Sequence, residues 1–418
     1  MMNVSHTITE SYHQLFKESN DLDKSKIFLP TKIPGCDLPR SFNTYYDAIK
    51  HIPTRLTGNT QGVRLFLTEC LKDINHTKVL EDIDSLDENQ LYEALTILTI
   101  LMQSYRWDIL PATSETYSLE ELCFPERLYK PWVKVSNKLR LPHSNTYWSI
   151  IATNWCLKQK CSGDQYKNSE LTTDNLRILY SWLPSPYSSQ LEEFILSFVE
   201  MEAYGVNAIR SILKIINLVF IQDHLAVHNE LLKLNAAIKS MSLAFNRRIR
   251  KNKIDPTIWR EIIHVPFAWG LKDASGQKLE GASGMQLGAI AVLNAFFSIP
   301  ESSFIGKATR TSRKYLLPEQ RDFLFHIDQC ANIVNSYFHE CSDMDVIALH
   351  NDCISNIISW RVSHQKRGAM YLSSGNKNNK PQIATGLTLS GEETDLSSIY
   401  VKDMEERIKE TKLALLEC

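Results

Sequence analysis

Residues Asn351–Tyr371 read NDCISNIISWRVSHQKRGAMY, and the spacing within them sets the fold class. Ile354, Ile357 and Ile358 recur at three- and four-residue steps, Arg361 falls one heptad after Ile354, and His364 and Gln365 follow at ten and eleven. That is the period of an amphipathic helix, and its apolar stripe runs straight into Arg361 and His364. A guanidinium on a buried face must find partners, because an isolated buried charge is very costly. His364 on the same face reads either as a core histidine satisfied by its neighbours or as an axial ligand. The nearby Arg361 cation disfavours imidazolium and leaves a neutral nitrogen able to bind metal.

The rest of the chain agrees with a helical reading. Of 418 residues only 15 are glycine and 15 proline, too few breakers for a sandwich or barrel. Lys and Arg number 46 against 48 Asp and Glu, a net charge of −2. That balance argues against a nucleic-acid partner and against a polybasic membrane anchor. The N-terminus, MMNVSHTITESYHQLF, lacks the basic and apolar regions of a signal peptide. The most apolar stretches, around Leu95–Met102 and Ile212–Ile221, fall short of the ~20 residues needed to cross a bilayer. A soluble cytoplasmic protein is expected. Nine scattered cysteines without a CxxC pair read as reduced thiols rather than a zinc or disulfide framework.

Along the chain, residues 1–40 are polar and read as an irregular arm. Helical patterns follow at Val63–Leu71 and Leu91–Tyr105, and residues 107–131 read as a crossover with three prolines. The expected organisation is a smaller, mostly helical N-terminal domain over residues 1–125 and a large all-α domain over 126–418. In the latter, helices are predicted at Leu176–Trp182, Ser188–Ala208, Ile209–Val219, Leu225–Phe245, Met285–Ile299, Glu319–Tyr337, Met344–Tyr371 and Val401–Leu416. Residues 372–396, rich in Gly, Ser, Asn and Thr, read as a mobile loop of lid type. The chain has no GxxxxGK[ST], strand-linked GxGxxG, GxSxG or HExxH, so nucleotide hydrolysis, Rossmann redox chemistry, serine hydrolysis and zincin chemistry lose their footing. His224 and His228 stand at i, i+4, but no carboxylate lies at a persuasive spacing, and a solvated or capping pair is the better reading.

Five blocks in order resemble the indoleamine 2,3-dioxygenase family of haem enzymes. They are Pro131–Trp155 (PWVKVSNKLRLPHSNTYWSIIATNW), Phe194–Ile209 (FILSFVEMEAYGVNAI), Gly281–Ile299 (GASGMQLGAIAVLNAFFSI), Tyr315–Leu324 (YLLPEQRDFL) and Arg361–Leu372 (RVSHQKRGAMYL). The resemblance implies an all-helical haem b domain with His364 as proximal ligand to the iron and Arg361 near a haem propionate. Asn294 stands where the family has an acidic partner for that arginine, so an ion pair becomes a neutral hydrogen bond. It implies an indole pocket lined by Trp132, Phe194, Phe198 and Trp259, with Ser283 and Gly284 as the small residues over the haem.

His264 occupies the position of the family's carboxylate-binding arginine, five residues after Trp259. It cannot form the arginine's bidentate fork. Thr385, Gly386 and Thr388 keep part of the family's Gly-Thr-rich substrate loop. The expected activity is O2-dependent cleavage of the indole C2–C3 bond of tryptophan or a related indole to an N-formylkynurenine-type product. An external electron donor would keep the iron ferrous, no membrane or nucleic acid would be involved, and a monomer is expected. Two other outcomes accompany it: a haem enzyme that rearranges a tryptophan derivative, as in the pyrrolnitrin pathway, or a helical haem-binding protein without turnover.

Overall fold

A computed structural model describes residues 6–16, 26–58, 61–111, 122–264, 269–272, 278–373, 383–384, 387–388 and 396–417. Among these the chain is almost entirely helical, and its strands are short two-stranded ribbons such as Cys156–Leu157 with Leu176–Arg177. The N-terminal helices are α1 (His6–Phe16), α2 (Asn43–Thr57), α3 (Val63–Leu71), α4 (His76–Ser85) and α5 (Glu88–Trp107). Next come α6 (Glu126–Lys138), α7 (Tyr187–Phe220), α8 (His224–Arg248), α9 (Gly288–Phe296), α10 (Phe304–Ser312), α11 (Pro318–Glu340), α12 (Met344–Ser373) and α13 (Leu396–Lys412).

Local chemistry sets the ends. Asp87 accepts from the Gln90 amide at 2.9 Å while Gln90 reaches back to the Asp87 amide at 3.2 Å, a capping box that opens α5. Asp223 caps α8 and Ser303 caps α10. Pro318 opens α11 at a position where a missing N–H costs nothing.

Two apolar cores meet along α7. One joins α2–α6 to the first half of α7 and the segment 147–183, with Phe42, Tyr45, Trp132 and Trp155 fully buried. The other joins the second half of α7 to α8, α9, α11 and α12, around Ile212, Leu231, Val292, Leu324 and Ile354. By composition and length α7 is apolar enough to cross a membrane, but 61% of its most apolar window is buried against other helices. At Gly205 it meets α9 so closely that a Cβ there would overlap the Cβ of Ala289.

The structure corrects several expected elements. Residues 6–16 of the arm form a helix packed on α11, and its Tyr12 donates to Asn217 Oδ1 at 2.7 Å and stacks on Phe220, both at the end of α7. Packing, not local propensity, holds it. Leu176–Trp182 is a strand followed by irregular chain. The break expected between Ala208 and Ile209 is absent, since α7 runs unbroken for 34 residues. The helix expected from Met285 is a 3-10 turn over Gly284–Gln286 followed by α9. Most of loop 372–396 lies outside the described residues.

The α7–α8 hairpin is fastened by charge. Glu200, fully buried, accepts from Arg248 Nε at 2.8 Å and Nη2 at 2.5 Å and from Arg247 Nη2 at 2.7 Å. Arg248 also reaches Glu193 at 2.8 Å. Removing one member of such a network strands a buried charge, at about 3–5 kcal/mol. Glu200→Gln is therefore expected to lower unfolding stability in urea by about 3 kcal/mol or more, and a loss within about 1 kcal/mol would show the pair to be dispensable.

Candidate functional site

One large cavity is lined by α7, α8, α9, α10, the α12–α13 pair, Trp259 and His264, and the stretch 282–287. Its space, mouth included, is about 1380 Å³. One side is aromatic. Phe194 and Phe198, one turn apart on α7, meet edge-on at 5.3 Å between centroids, and Phe194 meets Trp259 at 6.1 Å.

Trp259 reaches the cavity through an unusual turn. Asp255 caps a short helix at the Thr257 and Ile258 amides, Pro256 sits at its first position, and the chain then widens into a π-helical turn over Trp259–Ile263. The His264 amide bonds back to the Trp259 carbonyl. In an α-helix, residues five apart diverge around the axis, whereas the π turn brings them into line. His264 thus stacks on Trp259 at 4.2 Å and 24° and lines the cavity. It is 5% exposed, and burial pulls its pKa down to about 4. At neutral pH it carries no charge.

The strap over the cavity is made of small residues. Ser283 caps the 3-10 turn by accepting from the Met285 amide at 3.1 Å, and Gly284 lies against Phe198, where a Cβ would stand 3.3 Å from Cε1. Gln286 ties the strap down, bonding the Gly281 carbonyl at 3.0 Å and accepting from the Tyr147 amide at 2.7 Å. Glu202, fully enclosed on α7, receives the Gly288 and Ala289 amides at 2.6 and 3.1 Å and so fixes the start of α9.

The other side belongs to α12 and α13. His364 lines the cavity and stacks on Trp360 at 5.5 Å and 6°, with Phe245 edge-on at 5.4 Å. Burial first, then the Arg361 and Arg367 cations, lower its pKa to about 4, so its imidazole is neutral. Arg361 is buried and bonds only neutral acceptors: Asn294 Oδ1 at 2.6 Å, the Arg407 carbonyl at 3.0 Å and the Thr411 hydroxyl. Arg367 spends its donors on the Ile249 and Asn246 carbonyls and on Ser363. Arg361, Arg367 and Arg407 are the charged residues among the described lining residues.

Phe194, Phe198, Trp259, His264, Ser283, Gly284, Arg361 and His364 therefore surround one space. Trp132 does not join them. It is buried in the other core on α6, with its indole N–H donating to Thr99 Oγ1 at 3.0 Å. An aromatic on an amphipathic helix serves whichever side that helix buries, and here α6 faces α5. Thr385 and Gly386 lie outside the described residues, and Thr388 sits in the short strand Leu387–Thr388. No group of three His, Cys, Asp or Glu side chains suits a metal ion among the described residues. Sequence reading missed Tyr147, whose ring meets Phe198 edge-on at 6.2 Å with its hydroxyl buried and unbonded, and Tyr400, which lines the cavity beside His364. Tyr147 lies within the block Pro131–Trp155 but was not singled out there, and Tyr400 lies in none of the five blocks.

A family model described as "Indoleamine 2,3-dioxygenase" matches residues 17–411. Over 257 residues the chain is 23% identical to indoleamine 2,3-dioxygenase 1 of Rattus norvegicus, covering 57% of this chain and 60% of that protein. Over 329 residues it is 21% identical to indoleamine 2,3-dioxygenase of Saccharomyces cerevisiae, covering 71% of this chain and 69% of that protein. The chain thus spans about three fifths of the length of the rat relative it matches.

The depressed pKa of His264 has a readable sign. Between pH 6.5 and about 4 the unfolded chain takes up a proton at this residue that the folded chain refuses, so stability falls as pH drops through that window. The His264 ring signals in a nitrogen-15 NMR titration are expected to stay neutral from pH 8 to 5. His264→Gln should flatten the acid loss by at most about 1.4 kcal/mol per pH unit. A midpoint near 6.5 would contradict the buried neutral ring.

Proposed function

Because the chain belongs to the indoleamine 2,3-dioxygenase family, we propose that it is a haem-dependent dioxygenase that opens the C2–C3 bond of an indole with O2 to an N-formylkynurenine-type product. The observation that carries this reading is His364: a neutral imidazole lining a large cavity, with guanidinium groups beside it and aromatic side chains among the other lining residues. The residues suit haem b. His364 offers a neutral nitrogen to the iron, and the cations of α12 and α13 suit the macrocycle's carboxylates. Haem held by a single histidine supplies the open iron site for O2 and the oxygen-insertion chemistry itself.

The chain's own work is to bind, orient and keep dry. Phe194, Phe198 and Trp259 present flat apolar faces and edges suited to an indole ring. Gly284 and Ser283 keep bulk away from it. An external one-electron donor is needed to hold the iron ferrous.

His264 narrows the substrate. It is neutral and stacked, and the guanidinium groups among the described lining residues all come from α12 and α13. A carboxylate buried against the Trp259–His264 wall would find no guanidinium among the lining residues of that wall, which is costly. We therefore favour an indole whose side chain carries no free carboxylate. The same feature favours, as a second reading, rearrangement of a modified tryptophan.

The test is hemin titration followed by turnover with a reductant, O2, and tryptophan, tryptamine or indole. A Soret band that is lost in His364→Ala is expected, with a product gaining two oxygen atoms and tryptamine turned over in preference to tryptophan. His264→Arg should shift that preference toward tryptophan by about tenfold, the scale of one charge-assisted pair. A product with unchanged oxygen count would favour rearrangement, and absence of any Soret shift with hemin would overturn both readings.

A further inference from the structure

His364 has a partner that no motif supplies. Tyr400, in the first turns of α13, places its hydroxyl 3.4 Å from His364 Nδ1 and 3.3 Å from the His364 carbonyl oxygen, with the two rings perpendicular. It can stand there because residue 368, one turn after the histidine on α12, is glycine. A Cβ at Gly368 would lie 2.5 Å from Tyr400 Cζ and 2.6 Å from its hydroxyl oxygen. Glycine inside an exposed helix costs about 1 kcal/mol relative to alanine, and close approach of another group is the usual reason for tolerating it.

The α12–α13 contact is pinned on both sides of this spot. Gln365 Nε2 donates to the Val401 carbonyl at 2.9 Å, and Ser397 Oγ donates to the Ala369 carbonyl at 3.2 Å.

The polar atoms leave one arrangement that uses them all. A carbonyl only accepts, so the tyrosine O–H donates to the His364 carbonyl. Nδ1 must then carry the ring proton and donate to the tyrosine oxygen. Nε2 is left with the free lone pair. The opposite choice, with the hydroxyl donating to Nδ1, abandons the carbonyl bond and puts the proton on Nε2, where it would block coordination.

We propose that Tyr400, seated in the space left by Gly368, is the positioning residue that sets the tautomer and ring orientation of His364. The proposal rests on the haem reading for its purpose but not for its test. Histidine ligands usually donate their second N–H to a carboxylate or backbone carbonyl, which fixes the ring and raises its basicity. Here the acceptor is a neutral phenol, and the ring is further held by Trp360 and Phe245. His364 is thereby oriented without being made anionic in character.

Nitrogen-15 NMR of the imidazoles in the haem-free full chain at pH 7 reads the tautomer directly. The wild-type His364 ring is expected to show a protonated Nδ1 and a bare Nε2. Tyr400→Phe, which keeps the ring and the packing, should populate the Nε2–H form, and Gly368→Ala, which expels the tyrosine, should do the same. A wild-type ring protonated on Nε2, or a Tyr400→Phe ring unchanged from wild type, overturns the proposal. In the hemin-loaded ferrous protein, the iron–histidine stretching band in resonance Raman should move to lower frequency in Tyr400→Phe and return in no variant lacking the hydroxyl. A band that stays put in Tyr400→Phe also overturns it. Failure to bind hemin at all would sink the dioxygenase reading while the tautomer result still decides the role of Tyr400.

Discussion

A guanidinium buried in a protein interior has to be met on several sides, and Arg361 is met by two other helices. Asn294 comes from α9, Thr411 and the Arg407 carbonyl from α13, and the arginine itself stands on α12. These bonds hold in register the elements that carry the histidine, the strap and the closing helix. No carboxylate takes part among those acceptors, so Arg361 is held by dipoles, with the Glu410 and Glu301 carboxylates acting on it only through space. The positive potential it leaves beside His364 helps keep that imidazole neutral. Packing, electrostatics and the chemistry open to the site thus meet in one side chain.

The cavity is chemically divided. Its α12–α13 side carries all the charge of the described lining and its hydrogen-bonded histidine, while the α7 side and the π turn present aromatic surface. This division suits a ligand that is flat and apolar at one end and acidic at the other. It also explains why a neutral histidine can occupy a wall position: stacked on Trp259, His264 extends the aromatic surface instead of adding charge to it.

Much of this was legible in the sequence, for a definite reason. The 3.6-residue period places Arg361 and His364 on one face whatever surrounds them, and the cluster Gly281–Gly284 marks a tight strap without reference to its neighbours. Asn294 as the partner of Arg361 was also readable, through family resemblance. Features that depend on a second element were not. Trp132 was assigned to the pocket because an aromatic pattern says that a residue is buried, not against what. Tyr400 belongs to a helix whose docking is set by Gly368, 32 residues earlier, and no periodicity links them. The π turn that stacks His264 on Trp259 was hidden because a five-residue spacing signifies nothing on an ordinary helix. Helix α1 was read as an arm because what holds it is its packing on α11 and the end of α7, which its own residues do not reveal.

The contact at Gly205 bears on how the molecule responds to force. There α7 and α9 touch through a glycine and an alanine, and the Glu202 carboxylate beside them is held by the Gly288 and Ala289 amides. Such a junction behaves as a mechanical stop, because close-packed backbone has little compressibility left. The distance between the aromatic wall and the strap beneath α9 is consequently gauged by main chain.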